Sequence, residues 1–294
     1  MTRSLDRDVQ NERPSLSLAI ERIGVKGIRR RIEAQTSTRS LSYDVELDAF
    51  IDLPRNQRGA HMSRIVEAIQ EAIEKGRRRF GSLNEFLEAM CRMLLLKNPY
   101  ANKAGVEART IRYFETHLNL IKESIPEAVD VKLAVSMRRG REAEWTTGIT
   151  MEGLTVCPCA QAVYSSLEEA DPNGGLSHTQ RTRVTVEAKA GDNPVPAEWL
   201  VEATATAFSA PIISLLKRRQ EYELIKAAFK NPMFVEDVVR HILSRLATKL
   251  SGEGFPPETQ IMIEAESYES VHPFNAHVST GATLSRVIDE LASK

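Results

Sequence analysis

A chain of 294 residues carrying 39 Lys and Arg against 40 Asp and Glu has a formal net charge of -1. That near-balance gives no global field to attract nucleic acid or an anionic membrane. Three cysteines make no secreted disulfide framework, and no segment reaches the roughly 18 to 20 apolar residues of a membrane span. The expectation is a soluble, unexported protein of the reducing cytoplasm, with neither nucleic acid nor membrane as partner.

In chain order, residues 1–14 are polar with mixed charge and are expected to be a disordered arm. Ser17 to Arg31 and Ser40 to Leu53 alternate apolar and polar residues; in the second segment Leu41, Tyr43, Val45 and Leu47 share one face, the period-2 pattern of a half-buried strand. Ile65, Ile69 and Ile73 recur every four residues, predicting a helix over Ser63 to Arg79. Ser82, with Glu85 three residues on, reads as the N-cap of a second helix ending near Leu96. Strand patterns return over Ala108 to Lys122 and Val129 to Arg138, with a turn at Ile125-Pro126-Glu127 and a basic hairpin tip at Arg138-Arg139-Gly140-Arg141.

In element order the second half is expected to repeat this plan, with strands over Glu144 to Thr150 and Thr182 to Ala188, a Cys-Pro-Cys turn between them, and a strand over Gln260 to Glu266. A helix is expected over Ala197 to Leu216, bent at Pro211, and another over Val235 to Leu250. The fold class is therefore α+β, with two tandem modules over residues 15–142 and 143–294, each an antiparallel sheet backed by helices. A sheet with one uncovered face would tend to close against copies of itself, so self-association is expected.

Chemistry concentrates in Leu154-Thr155-Val156-Cys157-Pro158-Cys159-Ala160-Gln161, followed by Ser177-His178-Thr179-Gln180-Arg181. Thiolate and imidazole hold zinc or ferrous iron and also move protons. In extended backbone Cys157 and Cys159 point opposite ways, so only one faces a given metal; the lesser alternative is that both are small buried hydrophobes. A closed four-sulfur zinc site lacks a second pair of ligands. His117 and His241 read as structural or surface histidines, while His61, His178, His272 and His277 lie at loop or element ends, where sites concentrate. The turn Gly59-Ala60-His61-Met62-Ser63-Arg64 is as well suited to receiving a phosphate as to being a solvated helix start. Glu221, Glu236, Lys217 and Arg218 are not distinguished from exposed charges by spacing alone.

Together, Gly59 to Arg64, Thr155 to Gln161, Ser177 to Arg181, Leu215-Leu216-Lys217-Arg218, Asn231-Pro232-Met233-Phe234-Val235-Glu236-Asp237 and Glu269-Ser270-Val271-His272-Pro273 resemble the type IB GTP cyclohydrolase family, in that order. The likeness runs from about Leu47 to Ala276, and its Cys-Pro-Cys-Ala-Gln and Ser-His-Xaa-Gln-Arg wording is nearer the archaeal-type branch. The resemblance implies a tunnelling fold of two modules per subunit, assembled as a homotetramer. It implies conversion of GTP and water to formate and dihydroneopterin triphosphate, or its 2′,3′-cyclic phosphate, for pterin, folate or methanopterin synthesis. One divalent transition metal per site, Fe2+, Mn2+ or Zn2+, is implied, with Cys157, Glu221 and His272 as ligands and His178 as a further ligand or a proton carrier.

In the same comparison Cys159 and His178 are proton shuttles, Glu236 grips the guanine amino edge, and His61, Arg64, Lys217 and Arg218 meet the phosphates. Two departures stand out. Phe274 occupies a position where the family commonly has a second histidine after His272, with His277 three residues further on; and Glu168 to Gly175 lengthens the link between Cys159 and His178 as a surface loop. Two other readings are a purine- or pterin-handling nitrile reductase with Cys159 as nucleophile, and a non-catalytic, metal-stapled, nucleotide-binding oligomer.

Overall fold

The computed structural model describes residues 7–35, 40–77, 79–116, 125–169 and 175–293. Its strands are β1 (Ile20–Gln35), β2 (Ser40–Leu53), β3 (Lys103–Thr116), β4 (Ile125–Arg138), β5 (Ala143–Val156), β6 (Thr179–Ala190), β7 (Ala210–Pro211), β8 (Gln260–Ser267) and β9 (Ala276–Thr283). Its helices are α1 (Met62–Gly76), α2 (Leu83–Lys97), α3 (Pro158–Leu167), α4 (Ala197–Ala205), α5 (Arg218–Lys230), α6 (Val235–Gly252) and α7 (Leu284–Ala292). The fold is α+β, and the strands follow the hydrogen-bonded order β1-β2-β3-β4-β5-β6-β8-β9, with β7 paired to β5.

The chain forms two compact units that interleave along the sequence. Unit 1 takes residues 1–110, 132–146 and 191–193; unit 2 takes 111–131, 147–190 and 194–294. The divisions fall within β3, β4 and β5. Each of these strands is 14 residues long, about twice what one compact unit usually uses.

In unit 1, β1 and β3 flank β2 antiparallel, with Leu47 opposite Ala108, Ala49 opposite Val106 and Ile51 opposite Ala104. Val45, Leu47, Ala49, Ile51 and Leu53 are buried, so the period-2 reading identified the core face of β2. Ile65, Ile69 and Ile73 of α1 and Phe86, Leu87, Met90 and Leu94 of α2 complete the core at the helical period. Ser82 caps α2: its hydroxyl accepts the Glu85 N–H, while the Glu85 carboxylate accepts the Gly81 N–H at 3.2 Å. The opposite face of β2 is charged, with Asp44 paired to Arg31 at 2.7 Å and Asp48 paired to Arg109 at 3.2 Å. Asp48 also accepts the N–H of Gly27 at 2.8 Å, which fastens the bulge between Val25 and Ile28, where Gly27 has φ 71°.

The N-terminal arm is ordered over its described residues, correcting the disorder expected of it. Val9–Asn11 form a 3-10 turn capped by Asp8, and the carbonyls of Glu12 and Gln10 accept the N–H groups of Arg58 and Gly59 at 2.9 and 3.1 Å. The arm lacks apolar anchors, yet its carboxylates find partners, Glu12 with Arg58 at 2.6 Å and Asp8 with His61.

In unit 2, β6, β8 and β9 pair antiparallel, with Val184 opposite Ala265 and Val186 opposite Ile263. Val238, Ile242, Leu246 and Leu250 of α6 are buried in this unit's core. The helix expected over Ala197 to Leu216 is instead α4, which ends at Ala205, followed by the short strand β7 and an irregular stretch. Pro211 has no N–H for a helix and sits opposite Gly153 in the β5–β7 pairing. The turn expected at Ile125-Pro126-Glu127 is the start of β4. His117 and residues 170–174 of the proposed surface loop lie outside the described residues. His241 is exposed on α6, as expected of a surface histidine.

Candidate active site

Four segments of unit 2 converge on the end of β5. Val156, its last residue, is fully buried with Ala210, Leu224 and Ala228, so α5 rests on the strand end and its first turn carries Lys217, Arg218 and Glu221 into the same region. The Val156 N–H donates to Ser209 Oγ at 3.1 Å, and the Val156 carbonyl accepts the N–H of Met233 at 3.0 Å. That second bond brings in the loop that opens α6, where Glu236 lies exposed in the first turn.

Cys157 is the N-cap of α3, Pro158 its first residue, and the Cys157 sulfur accepts the Ala160 N–H at 3.5 Å. Proline at the first helical position is pre-set for a helix and gives up an N–H that would have no partner there. The expected Cys-Pro-Cys turn is thus a helix start, and Cys159, in the first turn of α3, is exposed while Cys157 is half-buried. Helical geometry therefore separates the two sulfurs.

His178 is tied to Cys157 through the main chain. The Cys157 N–H donates to the His178 carbonyl at 3.1 Å, and Ser177 Oγ donates to the Cys157 carbonyl at 2.6 Å. The His178 Nδ1 faces Gln180 Oε1 at 3.0 Å and Ser270 Oγ at 3.4 Å. An amide oxygen only accepts, so this contact favours the neutral tautomer with the proton on Nδ1, which leaves the Nε2 lone pair for a metal or a proton. Ser270 belongs to the loop after β8, which is fixed to the same region by Tyr268 N–H donating to the Arg181 carbonyl at 2.9 Å.

The implied ligand trio fits a divalent transition ion by donor type: sulfur, carboxylate and imidazole. In geometry it does not assemble, because among the described residues no group of three or more His, Cys, Asp or Glu side chains stands close enough to hold a metal. Glu221 is exposed on α5, and His272 is exposed on its loop with its ring stacked on Phe274 at 5.2 Å and an interplanar angle of 5°. His277 lies on β9 near Glu264 at 3.9 Å.

In unit 1, His61 caps α1 as the turn-to-helix reading expected, but it is not free to receive a phosphate. It is buried, its Nε2 lies 3.1 Å from both Asp8 carboxylate oxygens, and its Nδ1 lies 3.3 Å from the Tyr100 hydroxyl. The Asp8 carboxyl is held below the usual aspartate range, first by its hydrogen bond to His61. Arg64, one turn along α1, is half-buried. Gln161, Ser177, Gln180 and Ser270 lie inside the motifs already quoted but carry no signal of their own: Gln161 and Ser177 bind main-chain carbonyls and Gln180 and Ser270 face the His178 ring, and such polar contacts have no periodicity.

The family model described as type I GTP cyclohydrolase folE2 matches residues 7–278. The GTP cyclohydrolase MptA of Aeropyrum pernix is 37% identical over 281 residues, spanning 95% of this chain and 97% of that protein. That of Methanobrevibacter smithii is 31% identical over 311 residues, spanning 97% of each. Among solved structures, uricase from Arthrobacter globiformis aligns with a TM-score of 0.55 at 10% identity, covering 90% of this chain and 93% of that one. A uricase from Bacillus fastidious gives 0.54 at 12%, covering 92% and 96%. At such identity the likeness is one of fold. No helix among the described residues is long and apolar enough to cross a membrane.

Proposed function

Because the chain belongs to the type I GTP cyclohydrolase folE2 family, in its archaeal-type branch, we propose that the segments gathered at the end of β5 carry out the family's reaction. The activity is hydrolysis of a cyclic amidine, the imidazole ring of GTP, in pterin biosynthesis. Carbon 8 leaves as formate, and the product is dihydroneopterin triphosphate or its 2′,3′-cyclic phosphate. The observation that carries the reading is the Cys157 to His178 main-chain bond, which sets a sulfur at a helix start beside a histidine with one ring nitrogen free.

Cys157, Glu221 and His272, which stand apart in the single chain, would have to draw together to hold a divalent transition metal, ferrous iron, manganese or zinc, with His178 Nε2 available as a further donor. When bound, such an ion supplies hydroxide at neutral pH by lowering the pKa of water. The chain's own groups do the remaining work. Glu236 accepts from the guanine N1–H and 2-amino group, since one carboxylate can take both in parallel. Lys217 and Arg218 at the start of α5 meet the phosphates. Cys159 and His178 carry protons as the imidazole ring opens and formate departs.

We propose further that the chain adopts the two-module tunnelling arrangement and works as a homotetramer. The strand order ends in β1 and β9, whose outer edges offer N–H and C=O groups to a second copy. Cys91, Cys157 and Cys159 are all free, in keeping with a reducing cytoplasm.

The test is anaerobic incubation of protein loaded in turn with Fe2+, Mn2+ or Zn2+ together with GTP. Formate release and a pterin that fluoresces after oxidation are expected with at least one metal, and the product mass separates triphosphate from cyclic phosphate. Neither product with any of the three metals would overturn the reading.

A further inference from the structure

We propose that Gln161 is a positioning residue for turnover, a buried clamp that keeps α3, with Cys159, in register with the segment leading to His178. The inference rests on the assignment of Cys159 and His178 as proton carriers. Gln161 is 3% exposed and lies one turn beyond Cys157, to whose carbonyl its own N–H donates at 3.3 Å. Its side-chain amide donates to two different segments: to the Gly175 carbonyl at 3.2 Å and to the Phe229 carbonyl at 2.9 Å. Gly175 opens the stretch that ends at His178, and Phe229 lies in the last turn of α5, where helix carbonyls have no intrahelical partner. One amide therefore joins three elements, and those three carry Cys159, His178 and the Lys217 to Glu221 turn.

A second observation supports a clamp rather than a chance contact. Gly175 is buried, and a Cβ there would run into Ser165 Oγ and stand 2.9 Å from the Gln161 carbonyl. The stretch before His178 therefore presses directly on α3, and only glycine permits that approach. Ser177 adds a third tie through its hydroxyl to the Cys157 carbonyl. No other side-chain type of this length supplies two N–H donors to two carbonyls from a neutral group; a carboxylate would turn acceptor toward acceptor, and a thioether would leave both carbonyls without a donor. Gln161 touches no reacting atom in this account, so its effect is on the alignment of the groups that do.

The test uses full-length, metal-loaded protein with three variants, Gln161→Met, Gly175→Ala and Cys159→Ala, assayed for formate release from GTP well below each variant's melting temperature. For Gln161→Met, kcat is expected to fall about 100-fold, by more than KM for GTP rises, because misplacement by about 1 Å costs that much in rate. A purely structural role would instead lower Tm and leave kcat as in wild type once the protein is folded. A folded Gln161→Met protein with kcat within roughly twofold of wild type would overturn the proposal. Should that variant not fold, Gly175→Ala is judged by the same criterion, since it drives the same two elements apart. Cys159→Ala separates the premises: full turnover there removes the proton-carrier reading itself, whereas an inactive Cys159→Ala beside a fully active Gln161→Met removes the clamp alone.

Discussion

His178 and Cys157, 21 positions apart in the chain, are fastened by their main chains, the Cys157 N–H donating to the His178 carbonyl at 3.1 Å. The bond belongs to neither a helix nor a sheet ladder, and it ties the main chain that carries an imidazole to the main chain that carries a sulfur without using either functional group. Side-chain substitution at either residue should therefore leave this frame standing, so changes in activity report on chemistry.

Glu236 is expected to discriminate guanine from bases lacking the 2-amino group. In Glu236→Gln the charge is lost and one of two parallel hydrogen bonds fails, so kcat/KM for GTP should fall about 10- to 100-fold, the range for losing a charge-assisted bond. Inosine triphosphate, which has no 2-amino group, should suffer less. Competition kinetics with the two nucleotides checks this, and an equal loss for both would remove Glu236 from base recognition.

The N-terminal arm should release as the solution is acidified. The Asp8 carboxyl is lowered in the fold, chiefly by its hydrogen bond to His61, so the stabilisation is present above the ordinary aspartate range and is lost as pH falls through the lowered folded value. Protection factors over residues 7–12, taken relative to the slower intrinsic exchange in acid, are expected to fall in that window, and to fall in Asp8→Asn at neutral pH. Unchanged protection in Asp8→Asn would mean that the contact does not anchor the arm.

The three thiols should differ sharply in reactivity. Burial pushes the Cys91 thiol up to about 12 and leaves it inaccessible, whereas Cys159 is exposed. Iodoacetamide at neutral pH is expected to label Cys159 first, then Cys157, and to spare Cys91 until the protein is denatured, as read by peptide mass mapping.

Gly153→Ala should destabilise the end of β5. A Cβ at this position would be driven into the Phe208 ring, and overpacking of this kind costs about 1–3 kcal/mol. The urea midpoint should drop accordingly; an unchanged midpoint would mean that Phe208 repacks freely.

Much of unit 1 was legible in the sequence because its core obeys simple periods. Val45 and Leu47 alternate with Asp44 and Glu46, Ile65, Ile69 and Ile73 repeat by four, and Ser82 with Glu85 marks a helix start. Unit 2 was harder to read for physical reasons. In α5 only Leu224 and Ala228 are buried, in α7 only Leu284 and Val287, and α3 buries the polar Gln161 and Ser165, so none offers a long apolar stripe. Of the candidate site, the motifs identified the segments that meet at Val156. They could not reveal that His61 is engaged by Asp8 and Tyr100, because that pairing depends on an arm with no pattern of its own. Nor could they show that Cys157, Glu221 and His272 stand apart in the single chain.

Cys157 is proposed as a metal ligand and Cys159 as a proton carrier, a division of labour between two neighbouring thiols. It is tested most directly by measuring bound metal per subunit in Cys159→Ala alongside its rate of formate release from GTP. The account predicts wild-type metal content with turnover lost, in contrast to Cys157→Ala, which should lose the metal. Cys159→Ala protein that turns over GTP at the wild-type rate, or that no longer holds metal, would contradict it.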